Sequence, residues 1–299
     1  MKRRERVYTT INHQQPDRVP WGEIYLPPAL IYRACGRAPV DFKEQLLLKK
    51  QFLDRFKLDL LVTELTPENR GWLQKELDFW FNESDVFIFL LVTGGFTRLL
   101  NRLQWKEFFL AVAAEPGKMA EMLAEANRRL VDEVEPFLAS VSGVIIGDDL
   151  AGRHGTLVDP GYLGEVYFPS LLPLVSSIKA GADRPVFFHS DGNIQSLLRA
   201  IIDAGFQGVQ GLDPAAGMDI GGVKQQYGQQ LCLMGNLDLN CLVACSDEEL
   251  EKEVIRIVSS AAPGGGFIFG TAGGLLEEVD LERLERLSDF IIQYGSCCI

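Results

Sequence analysis

Apolar positions along the chain gather into short β-rich runs that end in Gly, Asp, Asn or Thr, and most are followed by stretches with the apolar spacing of a helix. The runs are "VPWGEIY" from Val19, "LDLLVTE" from Leu58, "VFIFLLVT" from Val86, "GVIIGDD" from Gly143, "PVFFHSD" from Pro185, "GVQGLD" from Gly208, "LCLMGNLD" from Leu231 and "GFIFGT" from Gly266. Helical spacing fills "PGKMAEMLAEANRRLVDEVEPFLASV" before the fourth run and "SDEELEKEVIRIVSSAAPGG" before the eighth. The latter opens with a capping-box pattern, Ser246 then Glu249, and closes on Pro263 and glycines. Strands alternating with helices predict an α/β fold with a parallel sheet. A doubly wound open sheet would carry a glycine-rich phosphate loop after its first strand, and none follows "VPWGEIY". The pattern therefore predicts one closed (β/α)8 TIM barrel over residues 1–299, with a helical lead-in over 1–18 and a helix end and short tail over 288–299. The aromatic-rich segment from Thr66 to Trp105 is expected to hold a lid or an interface.

Charge narrows the partners. Lys and Arg number 29 against 41 Asp and Glu, a formal net charge of -12. Such a balance repels a nucleic-acid backbone and an anionic membrane surface alike, so neither is expected as a partner. No apolar stretch reaches the ~18 residues of a spanning helix, and "MKRRER" leads into polar sequence, so a cytoplasmic location is expected. The six cysteines, Cys35, Cys232, Cys241, Cys245, Cys297 and Cys298, form no paired CxxC framework and are expected to be reduced, with no function for the tail pair.

In a barrel the chemistry sits where strands end. The strand ends supply Glu23, Glu64, Thr93, the pair Asp148 and Asp149, His189 with Asp191, Asp213, Asn236 with Asp238, and Thr271. Side chains two apart share a face, so His189 with Asp191 and Asn236 with Asp238 are each expected to point into the mouth together. Acidic and amide residues are also ordinary caps and turn formers, which is the expectation for Asp213, Glu64 and Thr93. Asp148 and Asp149 must face opposite ways. Asp148 is expected in the mouth and its neighbour on a helix cap. His189, one of three histidines, leads the candidates; His154 sits in a loop that can approach the same mouth, and His13 reads as an N-terminal structural contact.

Five ordered segments, "ERVYTTINHQQPDRVPWGE", "GDDLAGRHGTLVDPGYLGEVYFPSLLPLV", "HSDGNI", "GFQGVQGLDPAAGMDIGGVKQQYGQQLCLMGNLD" and "GGGFIFGTAGGLLEEVDLERL", resemble the uroporphyrinogen decarboxylase superfamily from Glu5 to Leu284, most weakly between Thr66 and Ser140. The resemblance implies a barrel of that type with its cleft at the carboxyl ends of the strands. It also implies either decarboxylation of a porphyrinogen or methyl transfer to a corrinoid (cobalamin) protein. True decarboxylases carry an arginine-rich segment of the type R-Q-A-G-R after the first strand; this chain has "WGEIYLPPAL" there, with Glu23 where positive charge is wanted. Methyltransferases acting on coenzyme M carry H-x-C-G at the fifth strand and a second cysteine near the eighth. Here the first reads His189, Ser190, Asp191, Gly192, and the second is "GTAGGLL", so both thiolates are missing. "GDDL" and "HSDG" look like the branch associated with corrinoid-dependent demethylation of methoxy compounds.

The reading that follows is a methyltransferase moving a methyl group from a small methylated substrate, with methoxylated compounds favoured, to a corrinoid on a partner protein. The chain lacks the corrinoid-binding D-x-H-x-x-G pattern. Two designs stabilise charge on the departing oxygen: zinc held by His189, Asp191 and Glu23, or His189 as a general acid oriented by Asp148 or Asp191. Tyr25, Asp149, Asp213, Asn236, Asp238 and Thr271 are expected to bind substrate, with Phe188 and Met234 as apolar walls or core. A homodimer is compatible with this reading. Uroporphyrinogen decarboxylation and a catalytically silent binding homologue are the alternatives.

Overall fold

The computed structural model describes residues 1–180 and 182–297. Cys298 of the tail pair lies outside the described residues. The strands are β1 (Leu60–Leu65), β2 (Phe87–Thr93), β3 (Gly143–Gly147), β4 (Ala151–Gly152), β5 (Gly155–Thr156), β6 (Val186–Ser190), β7 (Gly208–Gly211), β8 (Cys232–Leu237) and β9 (Phe267–Thr271). All but the β4–β5 hairpin form one sheet in the order β1-β2-β3-β6-β7-β8-β9, and every neighbouring pair is parallel. Helices cover its outer face, so the strands are buried on both sides and read as near-continuous apolar runs.

The first run departs from the expectation, because it forms no strand. Only Trp21 bridges to Phe269, in parallel register. The Gly22 N–H donates to Phe269 O at 3.0 Å and the Phe269 N–H to Pro20 O at 2.9 Å; on the other side the Asp59 N–H donates to Trp21 O at 2.7 Å. The segment thus ties β9 to the start of β1 and completes the ring. Pro20 has no N–H to give, which limits the ladder to a few bonds. Asp59, fully buried, holds the joint with its carboxylate: it accepts from Arg6 at 2.7 Å, from both Arg18 Nη atoms at 2.7 and 2.9 Å, and from the Trp21 N–H at 3.0 Å.

Alternate strand residues fill the barrel interior. Leu60, Val62, Phe87, Phe89, Ile145, Phe187, Cys232, Met234 and Ile268 form that cluster, and Val7 and Ile11 of the helix Arg3–Ile11 close its lower end. Phe89 touches Phe87 and Phe187 with ring centroids 4.7 and 5.0 Å apart. Glycine makes room for these rings: a Cβ at Gly143 would lie 2.6 Å from Phe89 and one at Gly208 only 2.3 Å from Phe187. Phe188 and the other outward residues pack instead on the helices, Phe188 against Tyr167, Phe168 and Phe206. Phe188 and Met234 are therefore core.

The capping box forms as expected: the Ser246 N–H donates to Glu249 at 2.8 Å, and the Glu249 N–H to Ser246 Oγ at 3.2 Å. The segment Thr66 to Trp105 supplies the helix Leu73–Glu83, β2 and the helix Gly95–Leu103, so most of it belongs to the barrel wall. No described helix is long and apolar enough to cross a membrane.

Candidate active site

The parity that fills the interior also places the polar groups at the upper end. Glu64 continues the face of Leu60 and Val62, Thr93 that of Phe87 and Phe89, Asp149 that of Ile145 and Gly147, and His189 that of Phe187. Glu64, Thr93, Gly147, Asp149 and His189 line one recess of about 190 Å³. His189 Nε2 lies 4.0 Å from Asp149 Oδ1, with the imidazole 16% exposed and the carboxylate 59% exposed. The Asp191 N–H donates to the same Asp149 oxygen at 3.2 Å. Buried Ser190 clamps the two acidic loops together, accepting from the Leu150 N–H at 3.0 Å and donating to Asp191 O at 2.9 Å. The chain then turns at Gly192 with φ +79°, where a Cβ would lie 2.6 Å from Ala151 O, so only glycine fits.

One ligand atom each from Asp149, His189 and Asp191 lie within 4.8 Å of one another. A nitrogen and two oxygens suit a divalent cation of the zinc type and leave a coordination position open. Burial raises the Asp191 pKa; His189 opposes the shift, while Asp149 and Asp213 add to it. Glu64 is raised by burial and by the charge of Glu68. The mouth is thus strongly acidic around a single imidazole.

Several expected site residues sit elsewhere. Asp148 does not enter the mouth. Its carboxylate is buried on the outer face, where it accepts from the N–H groups of Phe96 at 3.1 Å and Thr97 at 2.7 Å and from the Tyr167 hydroxyl, capping the helix Gly95–Leu103. Burial raises its pKa to about 6. Asp149, expected on a cap or on the substrate, takes the place beside His189. Glu23 is likewise absent from the ligand cluster: it shares Trp21's outward face, and its carboxylate accepts from Trp21 Nε1 at 2.8 Å, from the Thr271 N–H at 3.0 Å and from Thr271 Oγ1 at 2.5 Å. Thr271 is spent on that contact. Asn236 does not share the mouth with Asp238; it donates to Leu212 O and Met218 O and accepts from Arg256 on the helical side. Asp238 and Asp213 cap, accepting from the Asn240 N–H at 2.8 Å and the Ala215 N–H at 2.9 Å. Tyr25 is 55% exposed beside the loop after β9. His154 is exposed at the tip of the β4–β5 hairpin, and His13 packs at the lower end against Gly266.

A second, larger recess of about 610 Å³ shares Glu64 and Thr93 with the first and is lined further by Arg70, Arg98 and Asn101. Arg98 is paired with Glu133 at 3.0 Å.

With this geometry in place, the sequence profile of uroporphyrinogen decarboxylase (URO-D) matches residues 90–294. The chain belongs to the uroporphyrinogen decarboxylase family. Among its relatives, a uroporphyrinogen decarboxylase of Pelodictyon phaeoclathratiforme is 32% identical over 251 residues, 78% of this chain and 68% of the relative. Those of Methylococcus capsulatus and Pseudomonas putida are 26% identical over 216 residues and 35% over 162. The chain spans about half of their length, 55% and 44% respectively. In fold it resembles a methyltransferase from Methanosarcina mazei, with a TM-score of 0.81 at 14% identity over 98% of this chain and 99% of that one. A putative vitamin-B12-independent methionine synthase from Listeria monocytogenes is a more distant likeness, with a TM-score of 0.53 at 13% identity, covering 91% of this chain and 96% of that one. The URO-D member is thus a barrel whose upper mouth holds His189 among carboxylates.

Proposed function

We propose that this URO-D family chain is a methyltransferase that moves a methyl group from a small methylated substrate, a methoxylated compound first among them, to a reduced corrinoid carried on a partner protein. The observation that supports it is the convergence of Asp149 and Asp191 on His189, beside a small recess that Asp149 and His189 line with Glu64. A substrate with eight carboxylates would meet Glu64 and Asp149 in that recess and Asp191 beside it, a repulsive set.

The chemistry asks for charge control on a leaving atom. When the methyl carbon passes to the acceptor, its bond to oxygen breaks and the electron pair stays on that oxygen. A divalent cation held by His189, Asp149 and Asp191 supplies Lewis acidity when bound. Without one, His189 delivers a proton from Nε2 to the same oxygen. In both designs Ser190 and Gly192 hold the two aspartates at the imidazole, and the recess positions the substrate.

The test supplies free reduced cobalamin with methoxylated aromatics, methanol, methyl thiols or methylamines and follows formation of methylcobalamin. Turnover with one donor, lost in His189→Ala and Asp149→Asn, supports the reading. No methylation with any donor overturns it. A second reading, porphyrinogen decarboxylation, is favoured by the names of the relatives and by Arg70 and Arg98 in the larger recess; conversion of uroporphyrinogen to coproporphyrinogen would establish it. Inactivity in both assays leaves a binding homologue.

A further inference from the structure

Gln210 is fully buried on β7, in register with His189 on β6. Its neighbour Val209 belongs to the outer core, so Gln210 faces the barrel interior, as His189 does. The amide nitrogen donates to Ala272 O at 3.1 Å and to Thr271 O at 3.5 Å. Carbonyls only accept, so these two fix which end of the amide is nitrogen, and Oε1 must point away from them. That oxygen is buried without a hydrogen-bond partner, and so is Nδ1 of His189.

The orientation of the imidazole connects the two. A Cβ built at Gly147 on β3 would lie 3.5 Å from His189 Cδ2, whereas one built at Gly211 on β7 would lie 3.9 Å from Nδ1. The Nδ1 edge is therefore turned toward the strand that carries Gln210, and Nε2 toward Asp149. Buried polar atoms are seldom left unpaired, and an amide oxygen can be satisfied only by a donor.

We propose that Gln210 Oε1 accepts a hydrogen bond from the Nδ1–H of His189, after a small side-chain rotation or through one buried water, and thereby fixes the imidazole tautomer. The neutral ring then carries its proton on Nδ1 and presents the Nε2 lone pair to Asp149 and the recess. Gln210 is a positioning residue: it touches neither substrate nor metal. Asp149 Oδ1, 4.0 Å from Nε2 and largely exposed, is the competing acceptor that would draw the proton to Nε2 if Gln210 were lost. The inference holds for both designs above: a cation takes the Nε2 lone pair of the neutral ring, and a general acid gives up the Nε2 proton of the imidazolium, leaving the Nδ1–H form that Gln210 holds. It is independent of the methyl-transfer reading.

The experiment is long-range proton–nitrogen NMR of the metal-free protein labelled with 15N-histidine, in alkaline buffer where the rings are neutral. With only three histidines, His13→Asn and His154→Gln assign the spectrum. The wild type is expected to show the protonated, pyrrole-type nitrogen at Nδ1 of His189 and the pyridine-type nitrogen at Nε2. Gln210→Leu and Gln210→Met, which keep the volume and remove the acceptor, are expected to shift the population toward the Nε2–H form. A wild-type ring protonated at Nε2 overturns the proposal without any variant, and so does a folded Gln210 variant that keeps the wild-type tautomer. Because no metal, methyl donor or corrinoid is present, failure here is separate from failure of the methylation assay.

Discussion

Asp148 and Asp149 are consecutive, yet their carboxylates face opposite sides of the barrel wall: one accepts the N–H groups of Phe96 and Thr97 and the Tyr167 hydroxyl, the other lies 4.0 Å from His189. The difference separates stability from activity. Asp148→Ala strips two buried donors and one half-buried donor of their acceptor, at about 1–3 kcal/mol each and less than additively. We expect it to lower unfolding free energy by roughly 3 kcal/mol in urea titrations. Asp149→Ala, at an exposed side chain, should stay within ~0.5 kcal/mol of wild type while losing activity. Equal losses of stability in the two variants would contradict the assignment.

The same pair shows what the sequence makes legible. Seven of the eight strand runs are legible as apolar runs bounded by turn residues, and the mouth location of His189 follows from the alternation of faces along β6; the alternation fails at Asn236, where φ is +82°. The expectation of Asp148 in the mouth is wrong, and parity gives the reason: Ile145 and Gly147 share Asp149's face, while Ile146 shares that of Asp148. Glu64 and Thr93, which read as caps, reach the recess by the same rule. Glu23 is different. Its run has the composition of a strand, but Pro20 restricts the pairing, and the partner that buries Glu23, Thr271, is 248 residues away. No local pattern reports such a contact. Gln210 was hidden for a related reason, since its value depends on which carbonyls occupy its nitrogen.

The joint that completes the barrel rests on Asp59 with Arg6 and Arg18. Removing one partner of a buried ion cluster leaves uncompensated charge and typically costs about 3–5 kcal/mol. Asp59→Ala should fall in that range, and thermal denaturation should show it equally at low and high salt, because buried pairs are screened little. A loss that vanished in high salt would mean that the cluster is solvated.

Glu23 predicts a pH dependence of stability. Burial raises its pKa to about 7, against the pull of hydrogen bonds from Thr271 and Trp21. In the unfolded chain a glutamate titrates near ~4.3, so between these values the folded state binds more protons than the unfolded one. The contribution is therefore full below the unfolded pKa and is lost as pH rises through about 7. Its size is on the order of 3 kcal/mol. Glu23→Gln has no proton to lose, so from about pH 5 to pH 8 wild type should lose stability relative to the variant. Urea curves that run parallel across that range would show that the carboxylate is ionised throughout.

The cluster of Asp149, His189 and Asp191 predicts that zinc stabilises the fold. A ligand bound only by the native state contributes RT ln(1 + [L]/Kd), about 2.7 kcal/mol at a hundredfold excess over Kd. Differential scanning of the wild type with zinc should therefore show a rise in the unfolding midpoint that a chelator reverses. His189→Ala and the double variant Asp149→Asn with Asp191→Asn should abolish the rise. Asp238→Asn, which alters a helix cap outside the ligand cluster, should retain it. The control matters because this acidic chain, with a formal charge of -12, will attract zinc loosely at many carboxylates. If the double variant is stabilised as much as the wild type, the stabilisation comes from that diffuse binding, and the zinc design at this cluster is overturned.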